Sequence, residues 1–298
     1  ADLKRFSESL ISSLGFVSNF YFWLTGGYFS TNDQLKPLLH LWSLSVEEQF
    51  YLFFPIFFYF LYKLFNNKKN HLIGIILISA ISFSLNLYFV SNSDLVFFLF
   101  PARVWQFGIG AALALSPKFK INNIWLDSLY LISAFFLIIF NFLYIIKYLP
   151  DATLMCIGVG LILFKTVNEI NFLHKFFKIK FLIFIGLISY SLYLWHWPII
   201  SFLKYVHVDG IPISLVILSL VLILFLSIIS WKFIEQPFLY KYSNATSVKF
   251  ILLCYGLLIA ITTFIIISKN LPSRYDKFPN LIAQSIKTSY DCPPVKYR

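Results

Sequence analysis

Long apolar runs, separated by short polar segments, extend along most of the chain. A helix needs about 20 apolar residues to cross the hydrocarbon core of a bilayer, and roughly eight stretches approach that length. They cover residues 41–65, 71–90, 95–115, 124–146, 151–166, 181–206, 211–234 and 249–268. The pattern therefore predicts an all-α fold, a polytopic bundle of about eight transmembrane helices.

The segment before the first run is less clear. Residues 10–29 are apolar on average, but Ser12, Ser13, Ser18 and Asn19 interrupt them. Polar side chains weaken a lipid-facing helix. We therefore expect this segment to lie at the membrane interface or to re-enter the membrane.

The composition supports a membrane protein and argues against nucleic-acid binding. Hydrophobic residues make up 59% of the chain and charged residues only 12%, whereas soluble domains carry about 25% charged residues. The net charge of +11 has a simpler explanation in lysine-rich cytoplasmic loops. The lipid bilayer is the expected partner.

The lysines also predict the orientation of the helices. They follow alternate runs, at Lys68, Lys69, Lys118, Lys120, Lys175, Lys178, Lys180, Lys241 and Lys249. Cytoplasmic loops are enriched in Lys and Arg, so helix 41–65 begins outside and the tail after Ser268 is extracytoplasmic. We expect a multi-pass protein of the bacterial cytoplasmic (inner) membrane.

The three cysteines predict neither a disulfide framework nor a metal centre. Cys156 and Cys254 lie inside apolar runs, and Cys292 lies in the polar tail. Three scattered cysteines do not match the spacing of metal-binding motifs. We predict no metal.

Residues 40–55, HLWSLSVEEQFYLFFP, place polar groups at the start of an apolar helix. At 100° per residue, His40, Ser43, Glu47 and Tyr51 fall within about 60° of one another. A charged side chain inside a membrane normally faces a cavity or a partner. The alternative is that these groups lie at the headgroup level, beside Trp42 in an aromatic belt.

The third run contains FFLFPARVWQFGIGAAL, with Arg103 well inside its outer edge. A guanidinium in a membrane needs a carboxylate or phosphate that its planar fork can grip. Snorkelling to the headgroups is the alternative. Gly108 and Gly110 permit the close approach of another helix or of a ligand.

The sixth and seventh runs contribute further candidates. In ISYSLYLWHWPII, Ser189, Tyr193 and His196 share a helical face ahead of Pro198, which we expect to kink the helix. His196 either bonds to another helix or lines a site. In WKFIEQPF we expect Pro237 to end the helix, and Glu235 to pair with Lys232 or to have a functional role.

The segments LLHLWSLSVEEQFYLFFP, PARVWQFGIGA, SYSLYLWHWPII and FIEQPF, in this order, resemble membrane acyltransferase family 3. The closest branch contains bacterial O-acetyltransferases in which an extra span leads to a C-terminal SGNH domain. The resemblance implies transfer of an acyl group, often acetyl, from cytoplasmic acyl-CoA to a hydroxyl of a cell-surface glycan. Such glycans include lipopolysaccharide O-antigen, peptidoglycan and exopolysaccharide.

The resemblance also implies roles for individual residues. Trp42, Ser43 and Glu47 match one family motif, and Arg103 matches the family's membrane arginine. Gln106 stands where many relatives have a glutamate. We assign catalysis to Glu47 and Arg103 and acyl-CoA binding to Arg103. Substrate binding is assigned to His40, Trp42, Ser43, Tyr51, Tyr193 and His196.

The family pattern predicts the domain organisation. It places three spans, including a catalytic histidine and a nearby arginine, before the WSLSVEEQFY helix, but only 39 residues precede His40 here. Either spans are missing or the chain is inactive. We expect residues 1–248 to be an N-terminally incomplete acyltransferase domain, 249–268 an extra span, and 269–298 an extracytoplasmic linker towards a further domain.

Other functions remain open from the sequence. A transporter or flippase for a lipid-linked glycan would also use an intramembrane arginine and kinked helices. The sequence has no inverted repeat, which weakens this alternative. A glycan polymerase or ligase, or a purely structural subunit, fits less well.

Overall fold

The computed structural model describes residues 2–26, 35–90, 92–117, 124–143, 152–168, 176–207, 210–240 and 244–267. All regular elements in these ranges are helical. In chain order they are α1 (Asp2–Leu14), α2 (Ser18–Thr25), α3 (Leu41–Leu64), α4 (Lys68–Tyr88), α5 (Ser93–Phe98), α6 (Val104–Leu115), α7 (Ile124–Leu143), α8 (Thr153–Asn168), α9 (Lys180–Val206), α10 (Ile213–Ser230), α11 (Gln236–Tyr240) and α12 (Asn244–Ile267).

The helices confirm an all-α membrane bundle. Four of them are long and apolar enough to cross a bilayer: Lys68–Tyr88, Lys180–Val206, Ile213–Tyr240 and Val248–Ile267. Shorter apolar helices include Val104–Leu115, Ser128–Asn141 and Thr153–Lys165. Helix α3 has the length of a span, but Glu47, Glu48 and Gln49 lower its mean hydropathy. The protein is therefore a multi-pass membrane protein.

The uncertain N-terminal segment forms two short helices. Helix α1 has 13 residues and α2 has eight, so at 1.5 Å per residue each is too short to cross the membrane. Phe16, in the turn between them, has a positive φ of 53°. Helix α2 packs on α3, where the Ser18 and Ser45 hydroxyls lie 2.7 Å apart.

The third predicted span is interrupted, which the apolar pattern did not predict. Helix α5 ends at Phe98, a 3₁₀ turn covers Phe100–Ala102, and α6 begins at Val104. Pro101 explains the break, because proline lacks an N–H and disfavours helical geometry in the residue before it. Arg103 stands at this break, between the 3₁₀ turn and α6.

The expectation that Pro237 ends a helix is wrong. Helix α10 continues through a π-helical turn, Trp231–Glu235, into α11, which extends to Tyr240. Pro237 thus lies inside a continuous helical segment, two residues after the π-helical turn ends. Of the two alternatives for Glu235, the ion pair with Lys232 is not formed within the described residues: Ser191 Oγ donates to Glu235 Oε2 at 3.3 Å, and Lys232 lies over Phe233.

Close helix pairs build the bundle. Helix α4 packs against α6, α7 against α8, α9 against α10, and α1 against α12. Gly108 makes the first pair close: a Cβ there would lie 1.9 Å from Ser79 Oγ, whereas a Cβ at Gly110 would meet no atom within 4 Å. The close approach predicted from these two glycines therefore holds for Gly108 alone.

Some expectations concern residues outside the described ranges. These are the tail 269–298, with Cys292, and several of the loop lysines. The division of the chain into an acyltransferase domain, an extra span and a linker stays a prediction.

Candidate functional site

The first turns of α3 carry one group of polar side chains towards α9. The Tyr193 hydroxyl donates to the backbone carbonyl of His40, and Ser43 Oγ lies 2.5 Å from the same phenol oxygen. A phenol has a single proton, so Ser43 donates to Tyr193. This chain of hydrogen bonds joins the turn before α3 to the middle of α9.

His40 is buried beside two other rings of this group. Its side chain is 6% exposed, and its ring centroid lies 5.3 Å from that of Tyr193 and 5.6 Å from that of His196. Although His40 occupies the N-cap position of α3, its side chain makes no capping hydrogen bond. Both ring nitrogens are buried without a hydrogen-bond partner of good geometry.

The environment of His40 favours a neutral imidazole. His40 precedes α3, and burial, followed by the nearby His196, lowers its pKa to about 4. Backbone groups of Leu194 and Pro37 raise this pKa, but by less than burial and His196 lower it. A neutral imidazole has one donor and one acceptor, so His40 can bind a hydroxyl as either.

His196 completes this group. Its Nδ1 lies 2.6 Å from the backbone carbonyl of Tyr193, so Nδ1 carries a proton and donates it in a hydrogen bond to that carbonyl. The next residue, Trp197, donates from Nε1 to the backbone carbonyl of Lys36 at 2.9 Å. These contacts hold the segment before α3 against α9.

On a neighbouring face of α3, Trp42 contacts Arg103. The guanidinium carbon lies 5.3 Å from the centroid of the Trp42 ring and 5.0 Å from that of Phe97. Arg103 Nε donates to the Phe97 carbonyl at 3.0 Å, and Nη1 donates to Gln106 Oε1 at 3.4 Å. Gln106 therefore reaches Arg103 with a neutral amide, where a glutamate would bring a carboxylate.

Glu47 lies one turn after Ser43 and is half-buried, whereas Glu48 is exposed. Both carboxylates, together with Glu235, lie within electrostatic range of Tyr190 on α9. Sequence reasoning missed this grouping, since Tyr190 and Glu235 come from different motifs. The hydrogen bond from Ser191 to Glu235 brings the two motifs together.

Two of the candidates on these helical faces point away from the group. Tyr51 is 60% exposed, two turns beyond Ser43 on α3. Ser189 is exposed and donates to the Gly186 carbonyl of its own helix. The structure thus brings seven of the eight assigned site residues together around the start of α3 and leaves Tyr51 apart. The seven are His40, Trp42, Ser43, Glu47, Arg103, Tyr193 and His196.

A polar contact that sequence reasoning missed supports the site from α2. Asn19 is fully buried; its Oδ1 accepts from Gln49 Nε2 at 2.9 Å, and its Nδ2 donates to the Phe98 carbonyl at 3.1 Å. Gln49 Nε2 also donates to the Phe16 carbonyl at 2.9 Å. The only sequence signal was the presence of amides in apolar surroundings.

Among the described residues, no three His, Cys, Asp or Glu side chains are arranged to hold a metal ion. The polar groups at the site are instead imidazoles, hydroxyls, a carboxylate and a guanidinium. Such groups can bind hydroxyls and anions, and they can accept and donate protons.

Comparison with known proteins gives a consistent result. Residues 9–232 match the acyltransferase domain of acyltransferase family 3. A protein named "Putative O-acetyltransferase" from Staphylococcus aureus (strain COL) is 33% identical over 260 residues, covering 80% of this chain and 42% of that protein. O-acetyltransferase OatA from Staphylococcus aureus (strain NCTC 8325 / PS 47) is 32% identical over 258 residues, covering 78% and 41%.

This chain therefore spans about two fifths of the length of these relatives. No solved structure matches it. The family match includes the segments of His40, Arg103 and Tyr193, which meet at the start of α3. The chain belongs to acyltransferase family 3.

Proposed function

We propose that this protein is a membrane O-acyltransferase that moves an acyl group, acetyl in the first instance, from cytoplasmic acyl-CoA to a hydroxyl of a cell-surface glycan. The observation that carries the proposal is the meeting of three distant segments at the start of α3. There, Arg103 stacks on Trp42 and Tyr193 bonds to Ser43 and His40. The names of the relatives support O-acetyl transfer.

The reaction needs a polar site inside a helix bundle. Acyl-CoA carries phosphates and stays in the cytoplasm, while the glycan is outside. Attack of a sugar hydroxyl on the thioester carbonyl forms the ester C–O bond and breaks the C–S bond. The hydroxyl proton leaves through a base and ends on the CoA thiol.

Arg103 stabilises the negative charge that develops on the thioester carbonyl oxygen. The rings of Trp42 and Phe97, together with hydrogen bonds to the Phe97 carbonyl and Gln106, hold the guanidinium in place. A fixed cation stabilises an oxyanion without reorganising during the reaction. CoA phosphates are the other anions that it can bind. The lysine distribution predicts that the start of α3 is outside, which favours the oxyanion over the phosphates.

The group formed by His40, Ser43, Tyr193 and His196 binds the acceptor hydroxyl. A neutral imidazole at His40 suits a hydroxyl, which both donates and accepts a hydrogen bond, and the His196 ring lies beside it. Glu47, half-buried one turn from Ser43, orients the base that removes the proton, as a carboxylate does in a catalytic triad. Ser43 and Tyr193 hold the His40 turn in place.

The test uses the intact protein in sealed membrane vesicles with radiolabelled acetyl-CoA on the cytoplasmic side. We expect label on the glycan with wild-type protein and a loss of at least about tenfold in Arg103→Lys, because Lys cannot reproduce the planar, stacked fork. Arg5→Lys, on the exposed face of α1, is the matched control.

The outcomes separate the proposal from its alternative. Unlabelled glycan that crosses the membrane without acetyl-CoA would favour a transporter. No label on the glycan with well-folded wild-type protein would reject acetyl transfer from acetyl-CoA.

A further inference from the structure

Breaking the third span leaves backbone groups that no helix satisfies. Between α5 and α6 the chain passes through Leu99, in an extended conformation, and the 3₁₀ turn Phe100–Ala102. Unpaired carbonyls and N–H groups in a membrane cost several kcal/mol each. Such a break persists only where neighbouring groups satisfy the backbone.

Two side chains of α4 satisfy it. The Ser82 hydroxyl donates to the Pro101 carbonyl at 2.6 Å, and the same oxygen accepts from the Trp105 N–H at 3.0 Å. Asn86, one turn further along, donates from Nδ2 to the Ala102 carbonyl at 2.9 Å. The Ser82 hydroxyl therefore binds backbone groups on both sides of Arg103, and Asn86 binds the carbonyl of the residue before it.

These contacts surround Arg103 on both sides in sequence. Pro101 and Ala102 precede it and Trp105 follows it, so fixing their backbone fixes the Cα position of Arg103. Ser82 and Asn86 are buried, at 3% exposure each. Their hydrogen bonds are thus shielded from water, where a lost partner is costly.

The direction of the Arg103 side chain depends on the same backbone. Its Nε donates to the carbonyl of Phe97, in α5, while Nη1 donates to Gln106, in α6. The guanidinium therefore bridges the two helices across the break. A shift of the turn would change both distances and the stacking on Trp42.

We propose that Ser82 and Asn86 are positioning residues for Arg103, and that they set the geometry with which the guanidinium meets the acyl-transfer reaction. They act through the backbone of the break and touch no substrate. For its effect on activity this inference rests on the proposed function. Its structural part can be tested without activity.

The first measurement follows the Arg103 Nε–H by NMR in intact protein, labelled with ¹⁵N-arginine and reconstituted in lipid nanodiscs. The signal is assigned by its loss in Arg103→Lys. We expect Ser82→Ala and Asn86→Leu to speed exchange of this proton with solvent by about tenfold or more. Ser82→Thr keeps a hydroxyl and should retain the protection. Ser84→Ala, an exposed serine on α4, is the matched control.

The second measurement is acetyl transfer by the same variants. We expect Ser82→Ala and Asn86→Leu to lower kcat as Arg103→Lys does, with Ser82→Thr close to wild type. Unchanged Arg103 exchange in both Ser82→Ala and Asn86→Leu overturns the inference, whatever happens to activity. Faster exchange with no transfer even in wild type supports the positioning role and rejects the proposed function instead.

Discussion

The Ser43 hydroxyl and the Tyr193 phenol lie 2.5 Å apart, although 150 residues separate them in the chain. Tyr193 also donates to the backbone carbonyl of His40, so one phenol links the first turn of α3 to the turn before it. These hydrogen bonds join the start of α3 to the middle of α9, two segments that the sequence analysis treated as separate candidates. It makes the position of the His40 ring depend on α9.

Tyr193→Phe tests that link, because it removes the hydroxyl and keeps the ring. We expect the KM for the glycan acceptor to rise and transfer to fall by about tenfold, since a lost buried hydrogen bond costs about 1 kcal/mol or more. Steady-state transfer at varied acceptor concentration measures the effect. Tyr205→Phe, exposed on the same helix, is the control, and equal effects of the two variants would contradict the role of Tyr193.

Glu47→Gln tests the half-buried carboxylate next to this group. An amide of the same shape cannot orient a cationic or proton-accepting partner as a carboxylate does, so we expect transfer to fall by about 100-fold. Glu48→Gln, on the adjacent and exposed position, should retain most of the activity. Transfer that survives in Glu47→Gln would remove Glu47 from the catalytic set.

Gly108→Ala tests the contact between α4 and α6, the helix that begins directly after Arg103. The new Cβ would lie 1.9 Å from Ser79 Oγ and 3.0 Å from Ser79 Cβ, so the helices must separate or Ser79 must rotate. We expect a loss of about 1–3 kcal/mol in the free energy of unfolding, as for other overpacked sites. Thermal unfolding in detergent measures it.

Gly110→Ala supplies the control for this prediction, because a Cβ there meets no atom within 4 Å. Adding Ser79→Ala to Gly108→Ala removes the closest atom and should recover part of the stability. Equal stability of the two alanine variants would mean that α4 and α6 do not pack this closely.

Gln49→Leu tests the contact between α2 and α3. The change leaves the buried Asn19 Oδ1 without its 2.9 Å donor and the Phe16 carbonyl without its partner. We expect a loss of about 1–3 kcal/mol and faster hydrogen exchange in α2. Glu48→Leu alters an exposed neighbour and should leave hydrogen exchange in α2 unchanged. If the α2 amides also keep their wild-type exchange rates in Gln49→Leu, Asn19 is held by other contacts.

Much of the fold followed from apolar runs, and two prolines mark the exceptions. The described parts of the eight predicted runs correspond to helices, because a helix satisfies its backbone groups within one apolar segment. The break at Arg103 was missed since run length does not register one proline. Pro237 was misjudged because the helix continues through the π-helical turn before it, and run length predicts no such turn.

The candidate site was predicted in part. Helical periodicity put His40, Ser43 and Glu47 on one face of α3, and the motifs singled out Arg103, Tyr193 and His196. Periodicity gave Tyr51 the same weight, yet it is exposed. Residue spacing alone determines which side chains share a helical face, whereas the burial of each side chain depends on which helix packs against it.

The sequence by itself determined the helices and their membrane setting, because these follow from hydrophobicity, and its motifs carried the resemblance to acyltransferase family 3. Tertiary structure alone decided that Tyr193 bonds to Ser43, that Arg103 stacks on Trp42, and that Ser82 and Asn86 satisfy the broken span. Each of these contacts joins residues on different helices. Their distances come from how the helices pack, which no local pattern in the chain specifies.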